Sequence, residues 1–223
     1  MAFEFDHLFI CTDIGAAAAE KLISFGLVEG SPNTHPGQGT ANRRFFFHNA
    51  MLELLWVTSE AEAISPPIRR THLWERWHKR TLEACPFGIC LRATGKTSQD
   101  IAFDHWDFCP PYLPQGMNIA VATNSNIVAE PMLFQTPFGK RPDEQPPEKA
   151  QPLNHTTGLK EITRVTLISP SAQHPSPELQ SALDTKQIEL KEGTAYCVEL
   201  GIDRETQGQH VDFRPELPLV IRY

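Results

Sequence analysis

The sequence has no C-x-x-C pair, no basic surplus and no long apolar run. Its five cysteines, Cys11, Cys85, Cys90, Cys109 and Cys197, are odd in number and scattered. They therefore read as reduced thiols packed as small apolar residues rather than as a redox or zinc framework. Lys and Arg number 20 against 27 Asp and Glu, a net charge of -7, which argues against a nucleic-acid surface. The pairs Arg43-Arg44, Arg69-Arg70 and Lys79-Arg80 are too short to change that balance. No stretch approaches the roughly 18 apolar residues of a membrane span, and "MAFEFDHLFI" carries no basic leader ahead of an apolar core. A cytoplasmic protein with no membrane partner is the expectation.

What remains is an ordinary globular composition, 40% hydrophobic and 21% charged over 223 residues, enough for a sizeable core in one domain or two joined ones. "FEFDHLFICTD" reads as a strand. "IGAAAAEKLISFG" reads as a helix with Thr12 or Asp13 as N-cap and Gly26 as its stop. A Gly- and Pro-rich loop with a short extended piece follows, then the strands "NRRFFFHN" and "AMLELLWV" joined at a tight turn around Asn49. The order is β-α-β-β-β. After a helical connector, "PPIRRTHLWERWHKRTLEA", a degraded version of that order runs through "CPFGICLRAT", a weak helix "SQDIAFDHW", "MNIAVATN" and "EPMLFQTP". A third version follows the Pro-rich, charged stretch "FGKRPDEQPPEKAQPLNHTTG". It comprises "KEITRVTLISP", a helix "SPELQSALDT", "KQIELKEG", "TAYCVELGI" and "HVDFRPELPLVIRY". Repetition of one supersecondary unit predicts an α+β fold of repeated βαβββ modules.

Three strand interiors each carry one polar residue in an apolar row. With side chains alternating at period two, His7 shares a face with Phe3, Phe5, Phe9 and Cys11. Glu53 shares one with Met51, Leu55 and Val57, and Gln135 shares one with Pro131 and Leu133. A carboxylate on a buried face is costly unless paired, hydrogen-bonded or bound to a metal. Arg43 or Arg44 on the neighbouring strand is one partner for Glu53. Convergence with His7 and Gln135 on a divalent ion such as Zn, Ni, Mn or Fe is another.

"FDHLFICTDIGAAAAEKLISFGL", "HPGQGTANRRFFF" and "AMLELLWV" resemble the N-terminal module of glyoxalase-like proteins of the vicinal oxygen chelate superfamily. That group also includes extradiol dioxygenases and fosfomycin and bleomycin resistance proteins. The resemblance covers residues 3 to 57, continues more weakly on "PFGICLRA" and "PMLFQTP", and treats 160 to 223 as an additional module. It implies βαβββ modules forming curved mixed sheets, with a glyoxalase-like unit over 1–137 made of modules 3–57 and 86–137 joined by a connector at 58–85. A Pro-rich linker at 138–159 and a third module at 160–223 complete the chain. It also implies metal ligands on the first and last strand of each module: His7 and Glu53 from the first and Gln135 from the second, with Gly88 or Ile89 where a fourth ligand would stand and Cys90 one step out of register.

Asn42 and Arg43 would orient a carbonyl or anionic group at the mouth of the cup, and Trp106 would wall it. His105 and His155 are the remaining imidazoles that a metal could recruit. The function expected is that of a metal-dependent lyase, isomerase or oxygenase acting on a small oxygenated substrate, with Glu53 able to serve as base. The alternative is a metal-free small-molecule-binding protein of the bleomycin-resistance type. The third module would be structural, a wall over apolar sheet surface or a homodimer contact.

Overall fold

The computed structural model describes residues 3–81, 83–94, 100–137 and 139–223. Leu82 of the expected connector, Phe138 of the Pro-rich stretch, and Ser98 and Gln99 of the expected weak helix lie outside them. The first module forms as its pattern predicts: β1 (Phe3–Cys11), α1 (Ala19–Phe25), β2 (Asn33–His35), β3 (Thr40–Phe46) and β4 (Met51–Val57). Gly26 ends α1 in the left-handed region at φ 108, a conformation open to glycine because it has no Cβ. The start of α1 is later than expected. Gly15 and Ala16 take positive φ values and break any helical entry, so neither Thr12 nor Asp13 caps it. Ala18 holds that position, and Asp13 pairs with Arg80 instead.

The connector supplies two short helices, α2 (Glu60–Ala63) and α3 (Leu73–His78). Then come β5 (Phe87–Ala93), β6 (His105–Phe108), β7 (Ile119–Ala122) and β8 (Met132–Gln135). The weak helix expected over 98–106 is not formed in its described part: residues 100–104 are irregular and His105 opens a strand. All eight strands join one sheet in the order β2-β3-β4-β1-β5-β8-β7-β6, curved into a half-barrel. Its centre is an antiparallel pair, β1 with β5, flanked by the parallel pairs β1–β4 and β5–β8.

The remaining elements are β9 (Ile162–Ser169), α4 (Pro177–Leu183), β10 (Ile188–Glu192), β11 (Cys197–Ile202), β12 (His210–Asp212) and β13 (Leu219–Arg222). The last stretch, expected as one strand, is two. These strands form a second sheet, β10-β9-β11-β13-β12. Its pairing runs parallel, antiparallel, parallel, antiparallel, the same sequence found from β4 through β1, β5 and β8 to β7. Residues 160–223 thus repeat the middle of the larger sheet in shortened form, where a single βαβββ unit was expected.

The convex face of the large sheet packs on this second sheet in one apolar core. Leu8, Ile10, Leu52, Leu54, Ile89 and Leu133 meet Val165, Leu167, Val198, Leu200 and Ile221 there. Polar ties fix the two layers. Asn49, at the expected turn, donates through Nδ2 to the Ile162 carbonyl at 2.8 Å and accepts from the Ile162 N–H at 2.9 Å. The buried Glu130 carboxylate accepts from the Ser176 N–H at 2.7 Å and from its hydroxyl at 2.6 Å, at the N-cap of α4. The concave face is lined by a separate apolar group that includes Phe9, Cys11, Leu55, Phe108, Ile119 and Phe134.

Candidate functional site

Strand β1 does not alternate throughout. Its register against β5 shifts between Phe5 and His7, a β-bulge, which re-aims side chains locally. Phe5 therefore packs in the convex core beside Leu8 and Ile10, whereas Asp6 joins His7 on the concave wall. The single face expected for Phe3 through Cys11 is broken at this point.

The bulge creates a buried polar relay. His7 Nδ1 lies 2.6 Å from Asp6 Oδ1, and Asp6 Oδ2 accepts from Arg92 at 3.0 Å. Arg92 also donates to Glu4 at 2.7 Å and to the Asn49 carbonyl at 2.6 Å. Burial works against ionising Asp6, but His7 and Arg92 draw its pKa below the usual carboxylate value. Burial likewise opposes charge on His7, yet Cys90 and Asp6 carry its pKa well above that of free imidazole. Burial keeps the Cys90 thiol protonated by raising its own pKa, with His7 opposing, so the Asp6 carboxylate is the anion that sustains an imidazolium here.

Glu53 is held from the other side. The Asn42 amide donates to Glu53 Oε1 at 2.7 Å, and Asn42 Oδ1 accepts from the Asn33 N–H at 2.8 Å. Glu53 Oε2 then stands 3.9 Å from His7 Nε2, too far for a direct hydrogen bond. His7 and Glu53 are 8% and 6% exposed, so both head groups meet on the buried floor of the cup.

Above that floor is a cavity of about 460 Å³, within the range of small-molecule sites. Its wall toward β2 and β3 is polar, with His35, Gln38, Asn42 and Arg44. Tyr112 crosses from the β6–β7 loop to donate to Gln38 at 3.3 Å and lies with its ring 4.9 Å from that of His35. Burial pushes the Tyr112 phenol up and His35 down, so both are neutral near pH 7. Much of the remaining lining is apolar: Phe9, Leu55, Leu73, Phe108, Leu113, Ile119, Met132 and Phe134.

Several expected residues lie elsewhere. Gln135 falls on the convex side of β8 with Leu133, because Met132 and Phe134 are the ones that face the cavity. Its amide donates to the Asp100 carbonyl at 2.9 Å. Arg43 points the same way and pairs with Glu29 and Glu20, whereas Arg44 is the cross-strand neighbour of Glu53 and lines the cup. Trp106 is not on the cavity wall. Its indole donates to Ser125 at 3.3 Å, with Arg70 stacked over the ring. His105 sits beside Asp107, and His155 accepts from the Val28 N–H at 2.9 Å; neither lines the cup. Period-two counting along "NRRFF" already distinguishes Arg44 from Arg43. No sequence signal announces the bulge at Asp6 or the crossing of Tyr112.

The parallel pairs show which positions correspond between modules. Phe9, two residues after His7, is opposite Glu53; Cys90, two residues after Gly88, is opposite Phe134. Gly88 and Phe134 thus occupy the second module's equivalents of His7 and Glu53. A Cβ on Gly88 would lie 2.0 Å from the Phe9 ring, and the Phe134 ring meets His7 edge-on at 5.2 Å. The four strand positions therefore offer two donors, where catalytic transition-metal sites use about three protein ligands.

Asp6, His7 and Cys90 bring ligand atoms within 4.8 Å of one another. Both Asp6 oxygens are already engaged, however, and the Cys90 thiol donates to the Leu91 carbonyl at 3.4 Å. Neither set fits a resident transition metal as it stands.

A half-barrel of paired modules with a polar floor is a fold of the vicinal oxygen chelate type. No protein-family model matches the chain, and no curated protein does. Among solved structures it is similar to a hypothetical protein from Staphylococcus aureus, with a TM-score of 0.56 at 12% identity over 99% of both chains. A hypothetical protein from Bacillus halodurans aligns at TM-score 0.41 and 17% identity, over 66% of this chain and 99% of that one. A methylmalonyl-CoA epimerase from Streptomyces coelicolor aligns at 0.38 and 13%, over 63% and 99%. The first likeness shows a shared fold. No helix among the described residues is long and apolar enough to cross a membrane.

Proposed function

We propose that the chain is a proton-transfer enzyme of the isomerase or lyase type acting on a small oxygenated molecule in this cup. The carrying observation is the 3.9 Å separation of His7 Nε2 and Glu53 Oε2, whose companion atoms, Nδ1 and Oε1, are tied to Asp6 and Asn42. Such fixing removes the freedom to reorganise during reaction. Glu53 Oε2 takes a proton from the carbon beside a carbonyl while the His7 imidazolium donates its Nε2 proton to the carbonyl oxygen, giving a neutral enediol. Reversal on either carbon returns substrate or isomer. Asn42 and Asp6 are positioning residues in this scheme.

Two tests bear on it. Candidate α-hydroxycarbonyl compounds are incubated with protein in heavy water, and loss of the α-proton signal is followed by NMR. Exchange with wild type and its loss in Glu53→Gln supports the reading. Binding without exchange for every compound replaces it with the sequestering protein, which the apolar wall of Phe9, Phe108, Met132 and Phe134 also suits. Stoichiometric divalent metal in purified protein, lost in His7→Ala, replaces it with the metal-dependent enzyme.

A further inference from the structure

Seven arginines of this molecule are ion-paired. Arg43, Arg80, Arg92, Arg141, Arg164, Arg214 and Arg222 each hold a carboxylate. The cavity contrasts with that pattern. Its lining includes Arg44, Lys140 and Lys149, and none of the three is paired with a carboxylate among the described residues.

Arg44 is half-buried, donates to the Ser31 carbonyl at 2.8 Å and hydroxyl at 3.0 Å, and lies 5.2 Å over the Phe46 ring. Its partners are neutral, so burial draws its pKa down, with Glu53 partly offsetting this. The segment bearing Lys149 is tied to the same place. Gln151 Oε1 accepts from the Ser31 N–H at 3.0 Å and the Ser31 hydroxyl at 3.1 Å. The Pro-rich stretch, which composition alone marks as a surface linker, thus closes one end of the cup and brings two lysines to it. Against these cations the lining carries two carboxylates, Asp6 and Glu53, and Asp6 is already matched by Arg92.

The lining divides by chemistry: Arg44, Lys140 and Lys149 are its cations, His7 and Glu53 its facing acid–base pair, and Leu55, Leu73, Phe108 and Leu113 part of its apolar surface. We propose that the cup takes small amphipathic anions, a carboxylate or phosphate held by Arg44, Lys140 and Lys149 with an apolar tail running to the Leu73–Phe108 wall. This deepens the proton-transfer reading by naming the class of substrate, and it rests on that reading, since His7 and Glu53 line the same cavity as the three cations. A guanidinium and two ammonium groups offer charge-assisted donors to an oxyanion, and an anion relieves the uncompensated burial of Arg44.

The test uses the full chain and 8-anilinonaphthalene-1-sulfonate, an anion with an apolar body, alongside the uncharged N-phenyl-1-naphthylamine. Wild type is expected to bind the sulfonate at one site, more weakly in high salt. Arg44→Gln and the pair Lys140→Gln/Lys149→Gln are each expected to weaken it by about tenfold while leaving the uncharged probe unaffected. Hexanoate and hexyl phosphate should displace the sulfonate, hexanol should not, and the stronger of the two acids identifies the head group. Unchanged sulfonate binding in the triple variant, or displacement by hexanol equal to that by the acids, overturns the proposal. Glu53→Gln separates the two readings: sulfonate binding persists in it under this proposal whether or not wild type exchanges α-protons.

Discussion

His7 Nε2 and Glu53 Oε2 face each other across 3.9 Å at the base of the cup, while His7 Nδ1 meets Asp6 and Glu53 Oε1 accepts from Asn42. Substituting either removes a participant in proton transfer. Glu53→Gln retains the shape and an acceptor for the Asn42 amide, so the fold should survive. Deuterium incorporation into an exchangeable substrate is expected to fall about a hundredfold or more, the usual scale of general acid–base catalysis. A Glu53→Gln protein that exchanges at the wild-type rate would remove Glu53 from the chemistry.

Arg92 supports His7 at one remove and should reveal itself in stability. Its side chain is 2% exposed and joins Glu4, Asp6 and the Asn49 carbonyl. Arg92→Met takes one of two cations from Asp6, leaving His7, and strips Glu4 and the Asn49 carbonyl of their donor, a loss of charge-assisted hydrogen bonds that costs about 1.5–3 kcal/mol. Urea unfolding of the variant should show the midpoint displaced accordingly. A shift equivalent to less than about 1 kcal/mol, the scale of an exposed pair, would show the network to be solvent-screened.

Gly88 and Phe134 account for the missing half of a metal centre, and their replacement tests that account. Phe134→Glu puts a carboxylate at the position matching Glu53, and divalent-metal affinity measured by titration should rise at least about tenfold, one carboxylate ligand being the added term. Gly88→Ala should destabilise by about 1–3 kcal/mol, the range for overpacking a core, because the added methyl overlaps the Phe9 ring. Unaltered metal affinity in a folded Phe134→Glu protein would mean that the inferred equivalence between modules is wrong.

The legible and illegible parts of this site follow from one rule and its exceptions. Alternation placed Met51, Glu53 and Leu55 together correctly, because β4 is regular and lies inside the sheet. The same rule groups Gln135 with Leu133 correctly but does not say which face of β8 lines the cup, and Phe134 is the residue there; Arg43 follows from the loop stretch "HPGQGTANRR" and not from alternation, and Arg44 faces the cavity. Family resemblance favoured a polar residue on β8, and the cup holds a phenyl ring there. Alternation failed at Asp6, where an extra residue enters the pairing. The contributions of Tyr112, Lys140 and Lys149 depend on where loops come to rest, a consequence of tertiary packing with no local periodicity to betray it. The helix expected near residue 100 was the opposite failure, a weak pattern given an element that its described part does not form.

Thiol chemistry gives a check independent of the cup. Cys109 is exposed, whereas Cys11, Cys85, Cys90 and Cys197 are buried. Burial pushes Cys11 and Cys85 up to about 12, leaving about one part in ten thousand as thiolate at pH 8. A disulfide reagent at that pH should titrate one thiol rapidly in the native state and five in denaturant. Because the folded chain retains protons that the unfolded chain releases, stability should decline as pH rises through 9 toward 12. Fast reaction of two or more native thiols would contradict the packing described.

The second sheet covers the outer side of the first through a continuous apolar core, and packed interiors yield little to strain. The curvature of the cup is therefore set before any guest arrives, like a mould backed by a rigid plate. Girth is filtered by the fixed strands, and a guest too broad for them gains nothing by tight contacts elsewhere. Two loop segments complete the lining, around Tyr112 and from Lys140 to Gln151. Variants in those loops should change which chain lengths are accepted, whereas variants in the backing sheet should change whether the mould holds its form.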